Sequence, residues 1–361
     1  MPDSTAMMLQ ADPSRRVKMH GALSKDRALR LSAEIKTLLE QSPDPITITI
    51  KSPGGKIEAF FELDELFNAP EPANADIKII TVAHRASSAA ACLLVAGHVA
   101  YATRRARILF HGTRSKPHNG IKILKREYAL AMAMRLDREN RKVAGTLAKR
   151  VVARMAARYL ELKPPAQSRF VQDNPWIFFK NFADALRPQL SSPRAEKLLY
   201  ESLDRLKLIL AVNRFYPARV PRQNSMSLAP LEARLCKAVI DYEAKARSSG
   251  DWSLDSTAAA ELMMDYLLAR DHLRGEHLAT VRNLIRAVGP RFFSKAETKE
   301  YAKLKKTKPA KAEAYLLTRV MPCLLGFWYF ASTLCHRLLS GENSLSATDA
   351  YWLGLVDEIL D

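Results

Sequence analysis

The 361-residue chain predicts an α/β fold in which a parallel sheet is covered by helices. Three observations lead there. Short β-rich runs alternate with helical runs over the first hundred residues, turn chemistry separates them at Gly21 and at Ser52-Pro53-Gly54-Gly55, and 48% of the chain is hydrophobic, ample for a core.

The elements follow in order. Residues 1–14 are small and polar without an apolar signal region, so a disordered start and no export are expected. Arg16–His20 (RVKMH) reads as a strand that Gly21 turns. Ser24 then caps a helix from 25 to about 40, whose Leu29, Leu31, Ile35, Leu38 and Leu39 follow helical spacing. The run 46–51 (ITITIK) is a second strand that enters SPGG and a helix from 56 to about 67. A third strand, 77–82 (IKIITV), ends in a polar turn at His84 and Arg85. Ala89–Ala96 is so apolar that it reads as a buried helix.

Ser88 stands at the start of that helix. A hydroxyl there meets the unpaired N–H groups of the first turn and the positive end of the helix dipole, which is where an oxyanion needs donors. Singly, a serine among alanines is an ordinary cap and SPGG an ordinary turn. The order strand, SPGG, helix, strand, A-S-S-x-A-x-x-L-L-x-A-G, RILFH is far more specific, and it resembles the proteolytic subunit of the Clp protease and its relatives in the Clp/crotonase superfamily.

That resemblance implies a ββα spiral core and a serine peptidase. The family's serine lies five residues before the paired leucines; counting back from Leu93 gives Ser88 as the nucleophile, and the histidine that ends the following strand is His111. Gly55 and Ala89 correspond to the donors of the oxyanion hole. The closing segment 344–360 (SLSATDAYWLGLVDEIL) resembles the family's last helix, G-L-V-D turn and strand, and places the triad acid at Glu342 where the family has an aspartate. Asp349 is the alternative acid, and Asp357 matches a non-catalytic position. No metal or organic cofactor is implied. Implied partners are a peptide or protein substrate, further copies of the chain and an ATP-dependent unfoldase, in the cytoplasm and without a membrane.

Glu342 follows His111 by 231 positions, far more than the family pattern needs. Residues 15–120 and 321–361 are therefore expected to form the catalytic core, and 121–320 an inserted helical region. Its first part, 121–162, corresponds to the family's handle helix and is stopped by Lys163-Pro164-Pro165. Further helices are expected around 194–212, 228–247, 255–271 and 276–288, then a basic linker at 303–311 and an apolar helix over 313–339.

Charge divides along the same boundary. Residues 121–320 hold 39 Lys/Arg and 21 Asp/Glu, whereas the remainder holds 17 of each, so the whole excess of +18 belongs to the insertion. Arg138, Arg141, Lys142, Lys149, Arg150 and Arg154 recur at helical spacing. Such a face is a solvated surface, a track for nucleic acid, or a contact for an acidic protein. No helix-turn-helix, zinc finger or RNA-binding signature supports nucleic acid.

Cys92, Cys236, Cys323 and Cys335 lie in apolar segments without metal-ligand spacing and read as buried free thiols. His84 adjoins the site, His98 reads as a satisfied core residue, and His272 and His277 are poorly spaced for a metal. The uncharged segment 320–335 is shorter than a bilayer span and carries Pro322 and Gly326, so a buried helix is expected. Two other classes remain open: a crotonase-like acyl-CoA enzyme, and a non-catalytic oligomeric scaffold whose basic region binds protein or nucleic acid.

Overall fold

The computed structural model describes residues 12–68, 79–114, 126–162, 175–215, 283, 285–287 and 289–361. Strands β1 (Arg16–His20), β2 (Ile46–Ser52), β3 (Ile79–Ser87) and β4 (Val99–Phe110) run parallel in that order. Two short strands, β5 (Asn343–Leu345) and β6 (Glu358–Leu360), add to β4, the first antiparallel and the second parallel. The closing segment thus returns to the sheet beside the strand that leads into His111.

Between the strands lie α1 (Lys25–Gln41), α2 (Ile57–Asn68) and α3 (Ala89–Ala96). Ser24 caps α1 by accepting the Arg27 N–H at 3.3 Å. All eight residues of α3 are buried, as their apolarity requires. β3 is longer than 77–82 suggests: the expected turn at His84 is an irregularity in strand pairing, after which Arg85, Ala86 and Ser87 continue opposite Arg107, Ile108 and Leu109. β4 is a single twelve-residue strand that ends in the RILF run.

Beyond His111 the chain is helical: α4 (Arg126–Leu162), α5 (Pro175–Leu186), α6 (Pro193–Phe215), α7 (Lys295–Thr307), α8 (Pro309–Leu339) and, within the closing segment, α9 (Ala347–Trp352). The helices expected at 228–247 and 255–271 lie outside the described residues, as does most of 276–288, of which 283 and 285–287 are described and helical. The lysine-rich linker is corrected. Residues 303–307 complete α7, and Pro309 opens α8 after the single junction residue Lys308; proline suits the first turn of a helix, where its missing N–H costs nothing. α5 was not anticipated, although Pro175 followed by Phe179, Phe182, Ala183 and Leu186 on one face is an amphipathic pattern.

Insertion and sheet share one buried core. Along α4 the residues Val143, Ala144, Leu147, Ala148, Val151, Val152, Met155 and Ala156 are buried with helical periodicity, and Tyr159 meets Phe178, Phe182 and Phe327 at ring-centroid distances of 4.8, 5.6 and 5.7 Å. Gly326 lets α5 settle on α8, since a side-chain carbon there would overlap the Phe179 ring. Among the described residues no helix is long and apolar enough to cross a membrane.

The basic face of α4 is largely committed within the chain. Arg141 pairs with Asp137 at 2.7 Å, Arg150 donates to the Ala96 carbonyl at 3.2 Å and to Asn68 at 3.0 Å, and Lys142 lies 4.3 Å above the Phe61 ring. Arg154 is almost fully buried and makes four bonds. It donates to the Val95, Gly97 and Leu355 carbonyls at 3.0, 2.9 and 3.1 Å and to the Asp357 carboxylate at 2.9 Å. Asp357 also accepts the Ala100 N–H at 2.7 Å, which gives it a structural role. Replacing Arg154 with alanine leaves a carboxylate and three carbonyls without their donor and is expected to lower stability by about 3–5 kcal/mol. Lysine should not restore it, because one ammonium cannot reproduce the planar fork. Urea denaturation of both variants checks this.

Candidate active site

Ser88 sits where β3 passes into α3, and its backbone has φ 56° and ψ −130°. Among the described residues it is the one non-glycine with positive φ. Such a backbone costs about 1–3 kcal/mol and persists because its surroundings impose it. Here the Ser88 N–H donates to the Leu109 carbonyl at 2.7 Å, and the Ser88 carbonyl accepts from Ala91 and Cys92 at 2.9 and 3.1 Å. The serine is thereby locked between β4 and the first turn of α3.

The SPGG loop closes over it. Gly54, at φ 91°, approaches so closely that a Cβ would strike the Ser87 carbonyl and lie 2.5 Å from the Ser88 Cβ. Gly55 is held to Leu23 by a bridge that uses the Gly54 carbonyl and the Lys56 N–H, at 2.8 and 2.9 Å, and so leaves the Gly55 N–H outside it. A Cβ at Gly55 would overlap the Leu23 carbonyl. The Ala89 N–H, in the first turn of α3, has no intrahelical acceptor.

His111 follows the last residue of β4 and is half-buried. Its Nδ1 lies 2.8 Å from the Gly112 carbonyl oxygen. A carbonyl only accepts, so Nδ1 carries the proton and Nε2 of the neutral ring is left with its lone pair. Ser88, His111, Gly55 and Ala89 all line one cleft of about 740 Å³, together with Cys92, Gly112, Thr113, Arg114 and Asn140.

The carboxylates are elsewhere. Glu342 is exposed and its side chain pairs with Arg114, while Arg194 donates to its backbone carbonyl. Asp349 is buried and accepts from the Ser191 N–H at 2.7 Å and the Ser192 hydroxyl at 2.9 Å. Neither bonds to His111; among the described residues that ring's hydrogen bond goes to Gly112. The part played by residues 112–114 and Asn140 was not anticipated, because no sequence signal joins a loop to a helix position 27 residues later.

Cys92 opens on the cleft one turn below Ser88, but burial pushes its thiol up to about 12, so it stays protonated and unreactive. Cys323 and Cys335 are also buried and free, and burial raises both thiols; Cys236 lies outside the described residues. His98 accepts the Ile79 N–H at 3.0 Å through Nδ1, the satisfied structural histidine that was expected, and His84 is exposed. His272 and His277 lie outside the described residues. Among the described residues no three His, Cys, Asp or Glu side chains gather as a metal site would require.

The strained serine at a strand-to-helix turn, with a histidine at the end of the next strand, agrees with the comparison to known families. The model of the Clp protease family matches residues 3–157. Over that stretch the chain is similar to the Clp proteases. Its mixed sheet and covering helices fit the Clp/crotonase-type fold. The match runs through the site and most of α4 and ends three residues after Arg154, so the closing segment with Glu342 lies beyond it. No curated protein matches the chain significantly.

The glycines of the loop give a direct test of how tightly it is held. Gly54→Ala adds a side chain at positive φ against Ser87 and Ser88, and Gly55→Ala one against Leu23. Each is expected to lower the melting temperature and to abolish reaction of Ser88 with an active-site phosphonate, whereas Pro53→Ala, at an exposed position, should leave both nearly unchanged.

Proposed function

We propose that the chain is a serine peptidase of the Clp type in which Ser88 attacks the substrate carbonyl and His111 is the general base. The observation that carries this reading is the shared cleft: a strained serine at a helix start and an imidazole whose Nδ1 is occupied open on the same cavity. The Clp protease match supports peptidase chemistry.

In this mechanism Nε2 of His111 removes the Ser88 proton as Oγ adds to the carbonyl carbon. The same proton then passes to the leaving amine, and water repeats the cycle on the acyl-enzyme. The Gly55 and Ala89 N–H groups receive the oxyanion, each donor worth roughly 3 kcal/mol in hydrolases of this kind. The Gly112 carbonyl holds the imidazole in the tautomer that leaves Nε2 basic. Residues 121–320 supply one wall of the cleft through α4 and contact the substrate or a partner protein. Assembly from several copies, fed by an ATP-dependent unfoldase, belongs to the same proposal.

A second reading keeps Glu342 as the orienting acid. It is favoured by Arg114, which lines the cleft three residues after His111 and holds the Glu342 carboxylate at its rim. In that case Glu342 exchanges Arg114 for the imidazole when substrate binds.

Fluorophosphonate labelling followed by mass spectrometry separates these possibilities. Wild type is expected to label on Ser88, Ser88→Ala not at all, and His111→Ala about 10²–10⁴-fold more slowly. Glu342→Ala should label close to the wild-type rate if the Gly112 carbonyl orients the base; a loss like that of His111→Ala establishes the carboxylate instead. A folded wild type that takes no label on Ser88 would refute the peptidase reading in favour of a scaffold or an acyl-CoA enzyme.

A further inference from the structure

The Gly112 carbonyl can orient His111 only if it is itself held in place, and two contacts hold it. From α4, the Asn140 side-chain oxygen accepts the Thr113 N–H at 2.7 Å. From the other side, the last turn of α8 closes on Gly112: a Cβ there would overlap the Leu339 carbonyl and stand 2.8 Å from Asn140 Nδ2. The loop leaving β4 is therefore clamped between α4, which belongs to the inserted region, and the end of α8, which leads from that region back into the closing segment.

We propose that Asn140 is a positioning residue for His111. It acts through the Thr113 N–H and the Gly112 carbonyl to hold the imidazole with its proton on Nδ1 and its lone pair toward Ser88. The hydrogen bonds run in one direction: Asn140 accepts from the 113 amide, the adjacent carbonyl accepts from Nδ1, and Nε2 is left as the base. A side-chain carbonyl or carboxylate at 140 can begin this chain, whereas an apolar residue cannot. Gly112 is the matching constraint, since any side chain would force the loop off Leu339 and turn its carbonyl away from the ring. The proposal rests on the peptidase reading for its catalytic meaning, but the clamp itself is a property of the folded chain.

Two measurements on the full-length protein test it. The first is the rate of Ser88 labelling by a fluorophosphonate at saturating and subsaturating probe. Asn140→Ala, Asn140→Leu and Gly112→Ala are expected to lower the limiting rate by about ten- to a hundredfold, as misplacement of a catalytic group does, with little change in apparent probe affinity. Asn140→Asp, which keeps the acceptor, is expected to recover most of the rate. The second is ¹⁵N NMR of histidine-labelled protein, with His111 assigned by its loss in His111→Gln. The wild-type ring should show the Nδ1–H tautomer and Asn140→Ala a mixture with Nε2–H. This readout needs no activity, and circular dichroism confirms that each variant is folded. If wild type fails to label, the peptidase reading falls while the tautomer still decides the clamp. If Asn140→Ala labels at the wild-type rate and His111 keeps its Nδ1–H signal, the proposal is overturned. Should Asn140→Ala not fold, Asn140→Asp and Gly112→Ala decide it alone: equal tautomer signals in those two variants also overturn it.

Discussion

The structure depends on the buried guanidinium of Arg154. Helix α3 ends with carbonyls that have no intrahelical partner, in a region where water cannot reach them, and the turn between α9 and β6 presents another at Leu355. One planar cation answers the Val95, Gly97 and Leu355 carbonyls and neutralises Asp357, which itself secures the start of β4. A positive group at the C-terminal end of α3 also complements the helix dipole whose opposite end meets Ser88. Because α4 supplies this arginine, the inserted helices are bound to the sheet by a polar anchor as well as by apolar packing.

Much of the amino-terminal half could be read from the sequence, since its information is local. Strand alternation, a serine cap at 24, two glycines after Pro53 and an all-apolar helix at 89–96 each specify a backbone shape without help from distant residues. The pairing irregularity at His84 could not be read, because a polar dipeptide in a strand and one in a turn have the same composition. The lysine run at 303–311 misled for a related reason: lysine is both a good helix former and a linker residue, and only packing decides between them. Even the basic face of α4, whose periodicity is plain, hides which arginines point inward to carbonyls.

The site was legible where it consists of single residues in fixed local geometry and illegible where it consists of relations across the chain. Ser88 and His111 follow from motif spacing. The pairing of Glu342 with Arg114, and of Asp349 with the turn before α6, depends on how long-range segments fold back, and a spacing rule for the acid cannot see those competing partners. The Gly112 carbonyl is invisible to motif reading altogether, because any residue carries one.

The unusual backbone at Ser88 bears on how inactive forms of this protein behave. Alanine at 88 removes the oxygen but keeps a Cβ, so the positive φ and its cost persist and the cleft retains its working shape. Glycine removes both. A chain with glycine there is free of the penalty that L-residues carry at this turn, and so the molecule without the proposed nucleophile would be more durable than the one that has it. On the proposed mechanism, the position that carries the nucleophile is then also a place where selection for stability alone would dismantle it.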